Sequence, residues 1–79
     1  SSDLAGKATE IIIPDGVTEF DGYDFEYCTN LKKLYIPSSV TYIYYDSWYT
    51  EFDNVTFVVP KDSYAEKFAK ENGLTYEYQ

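Results

Sequence analysis

The chain has 79 residues and a formal charge of -8, set by 14 acidic residues against six lysines, with no arginine and no histidine. Nucleic-acid and anionic membrane surfaces are bound by displacing counterions with lysine and arginine, so this charge excludes both as partners. The lack of histidine excludes Ser-His-Asp catalysis and the usual zinc sites, so no cofactor or metal is expected.

Size and composition fit one small folded domain with a thin core, helped by a 20% aromatic content that buries much area per residue. The start, Ser1-Ser2-Asp3-Leu4-Ala5-Gly6, has neither the basic nor the apolar region of a signal peptide. With no apolar run of about 18 residues, no membrane insertion is expected either. The chain reads as a domain of a longer protein, and residues 1–7 as a flexible lead-in.

Three tetrapeptides of apolar-apolar-apolar-Pro follow: Ile11-Ile12-Ile13-Pro14, Leu34-Tyr35-Ile36-Pro37 and Phe57-Val58-Val59-Pro60, a constant interval of 23 residues. A fixed period of roughly 20–50 residues marks a stacked repeat. Each segment alternates, sending Ile11 and Ile13, Leu34 and Ile36, and Phe57 and Val59 inward. Ile12, Tyr35 and Val58 then point outward as one ladder, with Glu10, Lys33 and Thr56 beside it. Strands at a common period lie side by side as a parallel sheet, each stopped by a proline that has no N–H for the ladder.

Val17-Thr18-Glu19-Phe20 and Val40-Thr41-Tyr42-Ile43, also one period apart, read as brief strands on another side of the winding. Asp24–Cys28 and Asp46–Phe52 read as single helical turns, driving Phe25 and Trp48 into the core beside Cys28 and Leu31. The period breaks after Pro60. Ser63 and Glu66 form a capping box, with Asp62 as the alternative N-cap. Phe68 lies on the apolar stripe, Lys67 and Lys70 lie toward the negative end of the dipole, and Gly73 supplies the left-handed stop. The spacing predicts a helix over 62–72 and a strand over 74–78. Together, residues 8–60 form the repeat coils and 61–79 a C-terminal cap.

These motifs resemble the BspA-type leucine-rich repeats of bacterial surface proteins over roughly residues 8–76. One copy reads Ile13-Pro14-Asp15-Gly16-Val17-Thr18-Glu19-Phe20, then Phe25-Glu26-Tyr27-Cys28-Thr29-Asn30-Leu31, then Leu34-Tyr35-Ile36-Pro37; the next begins at Ile36-Pro37-Ser38-Ser39-Val40-Thr41-Tyr42-Ile43. The segment Ser63–Gly73 is similar to the closing segment of such arrays. Asp21 and Tyr44 depart from the family glycine, and Asp24 and Ser47 from its alanine. Glu51 falls at the cysteine position with Phe52 beside it, as after a one-residue insertion compensated later. The resemblance implies an α/β solenoid, a short right-handed coil with parallel strands, short helical turns and a capping helix plus strand. It also implies a secreted or cell-surface bacterial protein that binds rather than catalyses, and a buried structural role for Cys28.

Two surfaces are candidates for binding. The first is the sheet ladder of Ile12, Lys33, Tyr35 and Val58, whose residue types also serve cross-strand packing. The second is the cluster of Tyr42, Tyr44, Tyr45 and Tyr49 around Trp48, since flat amphipathic rings suit protein hot spots and sugar faces alike. Tyrosine as core filler is the competing reading, and Trp48 itself belongs with the core. The expected function is non-enzymatic extracellular recognition or adhesion with a protein partner. The alternatives are a carbohydrate-binding module of a secreted glycosidase or scaffold protein, and a purely structural cap or spacer.

Overall fold

The computed structural model describes residues 7–46 and 52–79. Strands β1 (Glu10–Ile12), β3 (Lys33–Tyr35), β5 (Thr56–Val59) and β6 (Tyr76–Tyr78) form one parallel sheet in that order. Strands β2 (Glu19–Asp21) and β4 (Tyr42–Tyr44) form a second, two-stranded parallel sheet. A 3₁₀ turn occupies Gly22–Phe25, and an α-helix, α1 (Tyr64–Glu71), lies between β5 and β6.

The register is that of the sequence period. Ile11, Leu34 and Phe57 are successive Cα partners across the first sheet, and Phe20 is partnered with Ile43 across the second. The prolines act alike in all three copies. Val17, Val40 and Ser63, each three residues beyond its proline, donate their N–H groups to the carbonyls of Pro14, Pro37 and Pro60 at 3.3, 3.2 and 3.3 Å. The first of these turns places Gly16 at φ 96°, and the third places Asp62 at φ 65°, a conformation that aspartate tolerates better than most residues. Ser39 ties the first turn to the second: its Oγ accepts from the Gly16 N–H at 3.0 Å and donates to the Val17 carbonyl at 2.8 Å.

In the first two copies that turn launches a strand; in the third it launches α1. Ser63 is the N-cap, its Oγ accepting from the Glu66 N–H at 3.2 Å. Glu66 completes the box by accepting from the N–H of Asp62 at 2.8 Å. Asp62 therefore serves the cap through its backbone and is not the N-cap. The helix occupies Tyr64–Glu71 inside the expected 62–72, and Asn72 and Gly73 close it, with Gly73 left-handed at φ 66°. The closing strand begins at Tyr76 rather than at 74, because Leu74 turns into the core and donates to the Ala69 carbonyl at 2.9 Å.

The two sheets and α1 enclose a core in which Leu34, Ile36, Phe57 and Val59 have no exposed surface, joined by Ile13, Leu31 and Phe68. Burying a side chain such as Phe57 contributes about 1.5–3 kcal/mol. An aromatic chain runs through this core: Phe52 meets Phe57 edge-on at 5.3 Å between centroids, and Phe57 stacks on Phe68 at 6.1 Å. Ile11, Phe25 and Cys28 are half-buried against this cluster rather than within it. Trp48, assigned to the core from the sequence, lies outside the described residues.

The Cys28 position of the next copy is filled by Phe52. The Val55 N–H donates to the Phe52 carbonyl as the Leu31 N–H does to the Cys28 carbonyl, one residue beyond the 23-residue interval. By Thr56, opposite Lys33, the register is back at 23.

Candidate recognition surface

The outer face of the four-stranded sheet is a set of side chains tied to one another. Lys33 Nζ on β3 donates to Glu77 Oε1 on β6 at 2.7 Å, reaching over the intervening strand β5. The Tyr35 hydroxyl donates to Glu10 Oε1 on β1 at 2.7 Å. Each bond leaves its mark: the Glu77 carboxylate raises the Lys33 pKa, and the Glu10 carboxylate raises that of Tyr35.

Val58 lies between these residues, with Tyr35 and Glu77 as its two cross-strand partners, and is only 4% exposed. The outward row thus runs Ile12, Tyr35, Val58, Glu77, but Val58 offers a partner almost nothing. Ile12, by contrast, is 73% exposed. It borders a shallow groove of about 700 Å³ at the proline end of the sheet, lined also by Asp15, Tyr35, Pro37, Pro60 and Gln79.

The second sheet presents the tyrosines. Alternation along β4 buries Ile43 and leaves Tyr42 and Tyr44 outward, each 49% exposed. Their rings meet edge-on, with centroids 4.6 Å apart and an interplanar angle of 76°. The Tyr44 hydroxyl donates to Glu19 Oε2 on β2 at 3.2 Å, and the carboxylate raises the Tyr44 pKa. Glu19 is the cross-strand partner of Tyr42, and Asp21 that of Tyr44.

Tyr45 does not belong to this surface. One residue beyond Tyr44 it turns inward, stacking on Phe52 at 5.6 Å and meeting Phe68 edge-on at 5.5 Å. Tyr49 lies outside the described residues. Tyr64, which sequence reasoning did not single out, braces β4 along the edge that does not pair with β2. Its hydroxyl accepts from the Ile43 N–H at 3.1 Å, and its ring lies 6.3 Å from that of Tyr42. Only the three-dimensional meeting of α1 with β4 reveals that role. The acidic partners Glu19 and Asp21 were legible as the β2 neighbours of Tyr42 and Tyr44, one period away.

Among the described residues, no group of three or more His, Cys, Asp or Glu side chains could hold a metal ion. None of the helices described is long and apolar enough to cross a membrane.

Parallel strands paired at one sequence interval, each stopped by proline and followed by the same turn, define a repeat protein. The model of the BspA type leucine rich repeat region (6 copies) matches residues 4–71, and the chain belongs to that family. Such repeats are generally non-catalytic, commonly mediate protein interactions, and are typically associated with bacterial surfaces. No curated protein and no solved structure matches the chain.

Proposed function

We propose that this chain is a non-enzymatic recognition module of a longer bacterial surface or secreted protein, contacting a protein partner through Tyr42 and Tyr44. Its scaffold is a short right-handed solenoid over residues 8–60, closed by a C-terminal cap over 61–79. The observation that carries the reading is the division of labour along β4. Ile43 is buried in the core, while the tyrosines on either side stay half exposed on a braced strand. Rigid aromatic rings on a fixed backbone lose little entropy on binding, which is what anchoring residues of interfaces require.

The ladder on the first sheet supports binding less well. Lys33 and Tyr35 are engaged with Glu77 and Glu10, and Val58 is covered, which leaves Ile12 as its exposed apolar contact. The angle of 76° between the Tyr42 and Tyr44 rings also weighs against the carbohydrate reading, because stacking on a sugar face favours rings that lie flat.

The test is the double variant Tyr42→Ser with Tyr44→Ser, assayed against immobilised extracellular-matrix proteins and, by affinity electrophoresis, against soluble polysaccharides. The expected result is a folded protein that loses about 2 kcal/mol or more of binding to a matrix protein. Full retention of protein binding, or loss confined to polysaccharides, would overturn the proposal.

A further inference from the structure

We infer that the face carrying Tyr42 and Tyr44 takes a cationic protein segment, one presenting arginine or lysine side chains. This rests on the recognition role proposed above and narrows it to a class of partner.

Donors and acceptors on this face are unequally represented. The Tyr44 hydroxyl commits its proton to Glu19, so what it offers outward is an oxygen lone pair and an electron-rich ring. The Glu19 carboxylate accepts that bond through Oε2, and a carboxylate has roughly four acceptor positions, so most of its capacity is open. Asp21, beside it on β2, carries a second carboxylate, with Oδ1 accepting from the Tyr23 N–H at 2.9 Å. Apart from the Tyr42 hydroxyl, the surface is therefore rich in acceptors and poor in protons to donate. Sugars and neutral peptides carry donors and acceptors together, whereas ammonium and guanidinium groups carry donors alone. A cation here meets both a carboxylate and aromatic faces, two attractions that reinforce each other.

The arrangement of charge along the chain agrees. No lysine occurs between Lys7 and Lys32 or between Lys33 and Lys61, the stretches that contain β2 and β4. Lys33, Lys67 and Lys70 are paired with Glu77, Glu71 and Glu66, none of them on β2 or β4. β2 and β4 thus carry Glu19 and Asp21 and no lysine, within a chain of charge -8. Such a charge also speeds encounter with a basic partner.

The probe is a short arginine–glycine repeat peptide, with the same peptide carrying citrulline for arginine as its neutral isostere. Both are titrated into the isotopically labelled domain and followed by amide chemical shifts. We expect the arginine peptide to shift resonances of Thr18–Asp21 and Thr41–Tyr44, and the citrulline peptide to leave them in place. Glu19→Gln with Asp21→Asn should weaken peptide binding about tenfold. Asp53→Asn with Glu71→Gln removes the same charge elsewhere and should weaken it by less than about twofold.

Equal weakening by the two charge pairs, or equal shifts with citrulline, would overturn the inference, because attraction would then be diffuse or unrelated to charge. If the tyrosine double variant loses a matrix partner that the Glu19→Gln with Asp21→Asn variant still binds, the recognition role stands and the cationic assignment fails.

Discussion

The Tyr78 hydroxyl, on the last strand, donates to the carboxylate of Glu66, the capping-box residue of α1. Glu66 is 4% exposed and also accepts from the Asp62 N–H, with Lys70 Nζ 3.7 Å away. One carboxylate therefore joins the third proline turn, the helix and the closing strand. The Tyr78 hydrogen bond, then the Asp62 N–H, holds its pKa below the ordinary 4.5, while the same bond from the other side pushes Tyr78 up to about 12.

These shifts fix the pH window of the cap. A lowered carboxyl contributes stability above its ordinary value, lost as pH falls below 4.5 and through the folded value. A raised phenol contributes stability that is complete below 10.0 and lost as pH rises toward about 12. The Tm of the parent chain should therefore exceed that of Tyr78→Phe across neutral pH, with the difference shrinking above pH 10 and again in acid. Thermal melts of both proteins across pH check this; a difference that is constant with pH would contradict it.

Ser63→Ala removes the N-cap acceptor of α1 and should cost about 1 kcal/mol. For a domain of this size that is a fall in Tm of roughly 4–8 °C. Circular dichroism melts measure it. Asp62→Asn, which tolerates the left-handed φ of 65°, should cost less, because Asp62 contributes its backbone N–H and not its carboxylate to the box.

The tyrosines separate by what lies behind them. Tyr45→Ser removes a ring that packs on Phe52 and Phe68, and should lower the Tm by more than Tyr44→Ser, whose ring is half exposed. Phe57→Ala, at the centre of the core, should cost about 3–5 kcal/mol, a large share of the stability of so small a domain. Chemical denaturation of the three variants ranks them. A Tyr44→Ser variant as unstable as Tyr45→Ser would show the outer tyrosine to be core filler.

Much of this was legible because the proline interval sets strand pairing, and a pairing shift of even one residue would turn Leu34 and Ile36 outward. The capping box at Ser63 was equally plain. Tyr45 was misplaced by grouping neighbouring tyrosines as one cluster, although strict alternation with Ile43 already turned it inward. Val58 was a different matter. Period-2 patterning sets it outward, but Lys33 and Glu77 meet above its strand, and the register of β6 against β5, with Phe57 opposite Tyr76, lies outside the repeat. Nothing in the interval could supply that pairing. Nor could it supply Tyr64, whose hydroxyl reaches the Ile43 N–H only because a helix replaces a strand in the third copy.

Everything proposed for the tyrosine face depends on β2 and β4 lying parallel, with Glu19 beside Tyr42 and Asp21 beside Tyr44. Nuclear Overhauser contacts between backbone protons of Glu19–Asp21 and Tyr42–Tyr44 measure that arrangement directly. Parallel-strand contacts pairing Phe20 with Ile43 are expected, matched by contacts pairing Leu34 with Phe57. Antiparallel contacts, or Phe20 paired one residue away from Ile43, would contradict it.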